Sequence, residues 1–267
     1  MRLVSEAEGF YEREAADRFL PTVRTRGPWD VDRQHAGPPA ALLALAVDER
    51  PGARTDMRTT RLVYEITRPV PIRPLTVTTR VLRAGRNVEL VDAVVTPDGG
   101  REVMRATALL MKSVPDSVPE VSPGRRVPGP EATSAKAFFS VLWDQGYHTA
   151  MEVRFATGSF LETGPATAWM RMRVPLLAGE ETKPLSRVLT AADSGSGISA
   201  ELDFYRYAFV NADLTINLHR HPEGEWVCVD ARTTVDGAGI GLAESALHDE
   251  KSPLGRSTQS LYVTARG

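Results

Sequence analysis

The sequence predicts an α+β fold built from two tandem copies of one unit, each an antiparallel sheet wrapped around an apolar helix. Three observations predict it. A proline-rich stretch, VPDSVPEVSPGRRVPGPEA at residues 114–132, splits the chain into two near-equal halves. Both halves read in one order, a helix followed by four β-rich segments. The halves also align at a nearly constant offset: Arg68 in ITRP matches Arg220 in LHRH 152 residues on, and Arg105 in VMRATALLM matches Arg256 in LGRSTQSLY 151 residues on.

In the first half, RQHAGPPAALLALAVDER reads as the helix, with Gly37 and two prolines marking its start before an almost wholly apolar body. TTRLVYEITRPV, PLTVTTRVLRAG, NVELVDAVVTPDGG and REVMRATALLMK follow as strands separated by turn signals. In the second half, MEVRFATGSF and ATAWMRMRV read as strands and KPLSRVLTAADSGSGIS occupies the helix position. NADLTINLHR, EWVCVDARTTV, GIGLAESALHD and GRSTQSLYVTAR then supply four more. The five prolines of the central stretch forbid a regular helix or a central strand and make it a semi-rigid linker. The expected division is therefore 1–113, a linker at 114–132, and 133–267. A single copy would leave part of its apolar surface unburied, so the two are expected to pair side by side as a fused pseudo-dimer.

Composition narrows the function classes. The 267 residues are 42% hydrophobic and 25% charged with a net charge of −2, which is ordinary globular usage and gives no electrostatic footprint for nucleic acid or an anionic membrane. The longest apolar run, PPAALLALAV, is far short of the ~20 residues that span a bilayer, and the acidic N-terminal stretch does not read as a secretory signal. The lone cysteine, Cys228, cannot form an internal disulfide. Together these point to a cytoplasmic protein. No histidine has metal-ligand spacing, and neither a dinucleotide fingerprint nor a P-loop occurs, so no metal or nucleotide cofactor is expected.

Particular segments resemble a known family. QHAGPPAALLALA is similar to the loop and central helix that open the first hot dog of type II acyl-CoA thioesterases, in the thioesterase-like superfamily. ITRPVPIRPLTVTTRVLRAGRNVELVDAVV resembles the strands after it, and NADLTINLHR and GRSTQSLYV resemble the second hot dog. The resemblance covers nearly the whole chain and implies a double hot-dog fold and an acyl-CoA thioesterase.

It also implies a site. Enzymes of this kind use no nucleophilic serine; a carboxylate beside a central helix and polar partners hold a water, in a set resembling Asp, Thr and Gln from the second hot dog. Carried onto this chain, the set falls on Asp193, Asn211 and Gln259, with Asn in place of Thr, and Thr215 as a weaker alternative to Asn211. A carboxylate can orient a water and take its proton as it attacks, while amides fix the water's remaining bonds. Backbone N–H groups at a helix N-terminus would polarise the carbonyl, either in the loop of His35, Ala36 and Gly37 or at Gly195. The strand offsets place Asp193 opposite Ala41, Asn211 opposite Thr59 and Gln259 opposite Ala108, an asymmetry expected if only one copy keeps its polar set. The substrate would be an acyl-CoA or an acyl-carrier thioester, with coenzyme A entering as part of the substrate, and Arg68 or Arg220 could meet its phosphates. A homo-oligomer is left open.

Plainer readings stand beside these. Asp193 followed by small residues also suits an N-cap, Asn211 before Asp suits a turn, and Gln259 suits a solvent-facing strand position. Trp29, Trp143, Trp169 and Trp226 are expected in core or interface positions. Two rival functions remain: a hot-dog dehydratase or hydratase in which His35 meets Asp193 across the pseudo-dimer, and a non-catalytic protein that binds an acyl chain or small molecule.

Overall fold

Pro38 and Pro39 lack the amide hydrogens that a first helical turn leaves unpaired anyway, so they start a helix without loss. The first central helix, α1, accordingly spans Gly37–Glu49. It is apolar on nearly every face because it is covered on nearly every face: Ala40 to Leu45 and Val47 are buried between the sheet and the second central helix. Burying each of its leucines contributes about 1.5–3 kcal/mol. The computed structural model describes residues 4–121, 127–136, 139, 141 and 143–266. Residues 122–126 of the expected linker lie outside them; the described part before that gap, 114–121, forms neither helix nor strand.

The strands are β1 (Tyr11–Ala15), β2 (Arg18–Pro21), β3 (Met57–Ile66), β4 (Leu75–Arg83), β5 (Val88–Pro97), β6 (Met104–Lys112) and β7 (Ser134–Ala135). They continue with β8 (Met151–Thr157), β9 (Ala166–Met172), β10 (Tyr207–Asn211), β11 (Asp213–Leu218), β12 (Trp226–Val235), β13 (Ile240–Asp249) and β14 (Pro253–Ala265). The other helices are α2 (Tyr147–Ala150), α3 (Pro184–Ala192) and α4 (Gly195–Ile198). All strands join one sheet in the order β1-β2-β4-β5-β6-β3-β11-β14-β13-β12-β9-β8-β7, with β10 paired to β14.

The seam is the antiparallel pair β3–β11, where Glu65 faces Asp213 and Arg61 faces Asn217. Each of these residues lies 152 positions from its counterpart across the pseudo-two-fold, so the duplication is visible in the pairing itself. Farther out, Ala108 faces Val91 while Gln259 faces Ala243, which continues the same correspondence. This is the double hot-dog α+β fold.

Three features depart from expectation. The first copy has a further hairpin before its central helix, β1–β2, the partner of the expected β8–β9 pair in the second, so it holds six strands rather than four. The β1 segment YEREA shows no apolar alternation, because its residues beyond Tyr11 are at least partly exposed. The second central helix is broken: α3 ends at Ala192, and α4 resumes at Gly195 after Asp193 and Ser194. Finally, the strand offset does not carry into the helices, which start at Gly37 and Pro184, 147 residues apart. Ala41, the fifth residue of α1, is therefore not the counterpart of Asp193.

The segment before each central helix crosses to the other copy. Tyr147 N–H donates to the Arg26 carbonyl at 2.8 Å, and on the opposite side Tyr11 N–H donates to Leu176 while Ala178 N–H donates to Tyr11. This crossing is what allows the loop carrying His35 to reach residues of the second half. Among the described residues no helix is long and apolar enough to cross a membrane.

Candidate active site

The break in the second central helix follows from its sequence. Ser194, Gly195, Ser196 and Gly197 are poor helix formers, and their small size lets the sheet come close. A Cβ on Gly195 would lie 2.7 Å from the Ser245 hydroxyl and 3.2 Å from Gln259 Oε1. Gly195 is therefore a close-approach glycine that admits the Gln259 amide to the end of α3.

Asp193 sits at that end, 4% exposed, and gathers three side chains. Asn211 Nδ2 donates to its Oδ1 at 3.0 Å, Gln259 Nε2 donates to the same oxygen at 3.2 Å and to the Asp193 carbonyl at 3.1 Å, and His35 Nδ1 lies 3.0 Å from Oδ2. The three partners come from β10, β14 and the loop before α1, so both copies contribute. Asn211 reaches inward from the last position of β10, and Gln259, only 2% exposed, faces the helix and not solvent.

Sequence reasoning missed the group that orients both amides. Ser196 N–H donates to Gln259 Oε1 at 2.9 Å, and Ser196 Oγ donates to Asn211 Oδ1 at 3.0 Å. With each carbonyl oxygen thus occupied, each NH₂ must point at Asp193. Tyr147 was missed as well. Its ring stacks on His35 at 3.8 Å between centroids and 3° between planes, and its hydroxyl donates to the Thr190 carbonyl at 2.7 Å and meets Ser194 Oγ at 3.1 Å. Burial pushes the Tyr147 phenol well above its ordinary value, so it remains a donor. Neither residue carried a sequence signal, because a serine in a small-residue run and a tyrosine in a short helix read as packing.

The His35 loop is pinned at several points. Gln34 N–H donates to Val70 and His35 N–H to Thr25, while the Gln34 side chain accepts from Tyr11 and donates to Pro71. Burial lowers the His35 pKa from 6.5, with the Asp193 charge working in the opposite direction, so the ring is neutral at neutral pH. Two contacts then compete for Nδ1: the Asp193 carboxylate and, at 3.2 Å, the Gly37 N–H. One nitrogen cannot donate to the first and accept from the second. An ionised carboxylate only accepts, so Nδ1 carries the proton and the Gly37 amide hydrogen is left for another acceptor. That amide opens the thirteen-residue α1, whose start packs so tightly on the Thr190 carbonyl that a Cβ at Gly37 would clash with it.

The remaining expected residues fall elsewhere. The chain breaks step at Ala212, between β10 and β11, so Leu214 and Ile216 enter the core and Thr215 takes the opposite face. Arg68 is exposed and donates to the Glu102 carbonyl. Arg220 is locked into the fold, donating to Asp249 and to the carbonyls of Ser252 and Pro253. Burial pushes the Asp249 carboxyl up, but Arg220 and the N–H groups of Glu223, Ser252 and Lys251 together hold it below its usual range. None of these three touches the Asp193 cluster. Next to Gly195, the Ser196 amide is already taken by Gln259. Ala36 caps α1, its carbonyl accepting from Ala40. Trp169 and Trp226 are buried, but Trp29 is 47% exposed.

Residues 25–111 match the model of the acyl-CoA thioesterase N-terminal domain, and residues 115–263 match that of the C-terminal domain. No curated protein matches the chain in sequence. Among solved structures, a protein of Thermobifida fusca described as a candidate thioesterase II is 17% identical, with all of both chains covered and a TM-score of 0.75. A candidate thioesterase of Novosphingobium aromaticivorans is 19% identical over 95% of this chain and 98% of its own, with a TM-score of 0.71. An acyl-CoA thioesterase II of Mycobacterium marinum is 14% identical over 96% and 95%, with a TM-score of 0.64. Identities this low speak to the fold, and the two domain matches speak to the family: the chain belongs to the acyl-CoA thioesterase family and is a thioester hydrolase.

Proposed function

We propose that the protein hydrolyses an acyl-CoA through a water activated at Asp193. The observation that carries this reading is the convergence of Asn211, Gln259 and His35 on one buried carboxylate beside the helix-terminal Gly37 amide. Water bound at Asp193 attacks the thioester carbonyl and gives its proton to the carboxylate. The carbonyl oxygen gains charge as its double bond opens, and the Gly37 N–H at the positive end of α1 receives it. As the carbon–sulfur bond breaks, the thiolate leaves with the proton taken by Asp193, yielding a carboxylic acid and a free thiol. Asn211 and Gln259 hold the carboxylate in position, and His35, steadied by Tyr147, holds its other oxygen. Coenzyme A enters as part of the substrate and no separate cofactor takes part. A cytoplasmic setting fits the single buried, unpaired Cys228.

The same His35–Asp193 pair is what a dehydratase would need, but direct contact at 3.0 Å leaves no room for substrate carbon between the two groups. Hydrolysis is the reading this contact favours. Thiol release from a panel of acyl-CoAs tests it. Asp193→Asn is expected to lose about 10²–10⁴-fold in kcat, and Gln259→Ala about 10²-fold, with unchanged circular dichroism. Full activity in both variants contradicts the site, and an alkene product without thiol release contradicts the reaction.

A further inference from the structure

A belt of aromatic rings runs from the Asp193 cluster to the surface. It begins at Tyr147, stacked on His35, and its neighbour His148 lies 5.2 Å from Phe139. Phe139 meets Phe160 at 5.4 Å, Phe160 meets Phe204 at 5.3 Å, and Phe204 meets Trp29 at 5.0 Å between centroids. Trp29 stands in the loop that leads back to His35. The rings come from segments far apart in sequence, so the belt is a product of the fold and not of a local motif.

Two properties give it direction. Exposure rises along it: Tyr147 is 0% exposed, Phe160 6% and Trp29 47%. A cation marks the outer end, where the Arg266 guanidinium lies over Phe204 at 5.3 Å and Trp29 at 5.6 Å. A thioester substrate has one polar, anionic end that must reach solvent and one apolar end that must leave it. The uncharged inner rings suit the apolar end. Phe160 also touches the catalytic helix, its ring 3.6 Å from where a Cβ on Gly197 would stand, four residues from Asp193.

The spacing of these rings is contact spacing, so an alkyl chain cannot thread between them. Phe139 and Phe160 belong to the main core cluster and Phe204 packs against it, so moving Phe160 aside disturbs the core itself. We propose that Phe139, Phe160 and Phe204 form the wall on which the acyl group rests, and that Phe160, the middle ring, limits the enzyme to short or compact acyl groups. This rests on the hydrolase reading above.

The test is kcat/KM across straight-chain acyl-CoAs from acetyl to palmitoyl for the whole protein and for Phe160→Ala, Phe160→Leu and Phe160→Trp. In the wild type, kcat/KM rises by about fourfold per added methylene while the chain is being buried, then falls once the wall is reached. The ratio of kcat/KM for dodecanoyl-CoA to that for butanoyl-CoA rises by about tenfold or more in Phe160→Ala, rises less in Phe160→Leu and falls in Phe160→Trp. The leucine and tryptophan variants keep the comparison intact if the alanine variant fails to fold. An active wild type that prefers dodecanoyl-CoA, or a ratio that stays within about twofold in the folded variants, overturns the inference. A wild type inert on every thioester overturns the hydrolase reading beneath it, and this is seen before any variant is compared.

Discussion

At matched strand positions the two halves hold Thr59 against Asn211 and Ala108 against Gln259, and the helices over them differ in the same sense. The first half has a continuous α1 and an apolar strand residue beneath it; the second has a broken helix, a buried amide and Asp193. The first half still carries an acid near its Thr59, Asp48 at the end of α1. Burial pushes the Asp48 carboxyl above its ordinary range, although Lys183, Arg50 and Thr59 act against this. In the second half two amides, each fixed by Ser196, are aimed at the carboxylate. The difference teaches what turns an acid near the end of a central helix into a candidate site: a helix interrupted by small residues so that strand amides can reach its end.

The first way to break this comparison is at the residue the halves share. His35 comes from the first copy and acts in the second, so His35→Gln is expected to lower kcat/KM by about 10²-fold. The pH dependence has a definite sign. Burial lowers the His35 pKa below 6.5, so the neutral ring prevails at neutral pH and gains a proton only on the acid side. Wild-type activity should therefore hold above pH 6.5 and fall as pH drops below it, and His35→Gln should lose the part of that fall due to the imidazole. A pH–rate profile with its decline above pH 7 would contradict the assignment.

A sharper probe is Ser196→Ala. It removes the hydroxyl that orients Asn211 but keeps the N–H that orients Gln259. A loss of about tenfold in kcat with little change in KM is expected, from disorder in one of two amides. A loss as large as that of Asp193→Asn would mean that Ser196 itself meets the substrate.

The smallest effect is expected at Thr215. It lies on the face of β11 opposite the core residues Leu214 and Ile216, so Thr215→Val should leave kcat/KM within about twofold of wild type. A large loss there would restore Thr215 to the site and displace Asn211.

These contrasts also mark what the sequence could disclose. The strands after each helix were legible because alternation reports a half-buried sheet, and the tandem offset was legible because strand lengths were preserved across the duplication. The β1–β2 hairpin was hidden by the polar composition of YEREA. Asp193, Asn211 and Gln259 could be named together only through family resemblance, since no local pattern in one chain marks a buried glutamine. The contact of His35 with Asp193 joins residues 158 positions apart through loops that cross the pseudo-two-fold, and it could be named from sequence only as one of two rival readings. Thr215 stood as an alternative to Asn211 because the step at Ala212, which reverses which side chains face inward, is not visible in the sequence. Arg220 looked available for phosphate because sequence does not show that Asp249 already holds it.

The central claim is that only one of the two pseudo-symmetric positions, the one at Asp193, performs the chemistry. Its most direct test is thiol release by two matched isosteric variants, Asp193→Asn and Asp48→Asn, assayed on the same acyl-CoA with circular dichroism to confirm folding. The account predicts a loss of about 10²–10⁴-fold in kcat for Asp193→Asn and a change within about threefold for Asp48→Asn. Equal losses in the two variants, or a loss confined to Asp48→Asn, would contradict it.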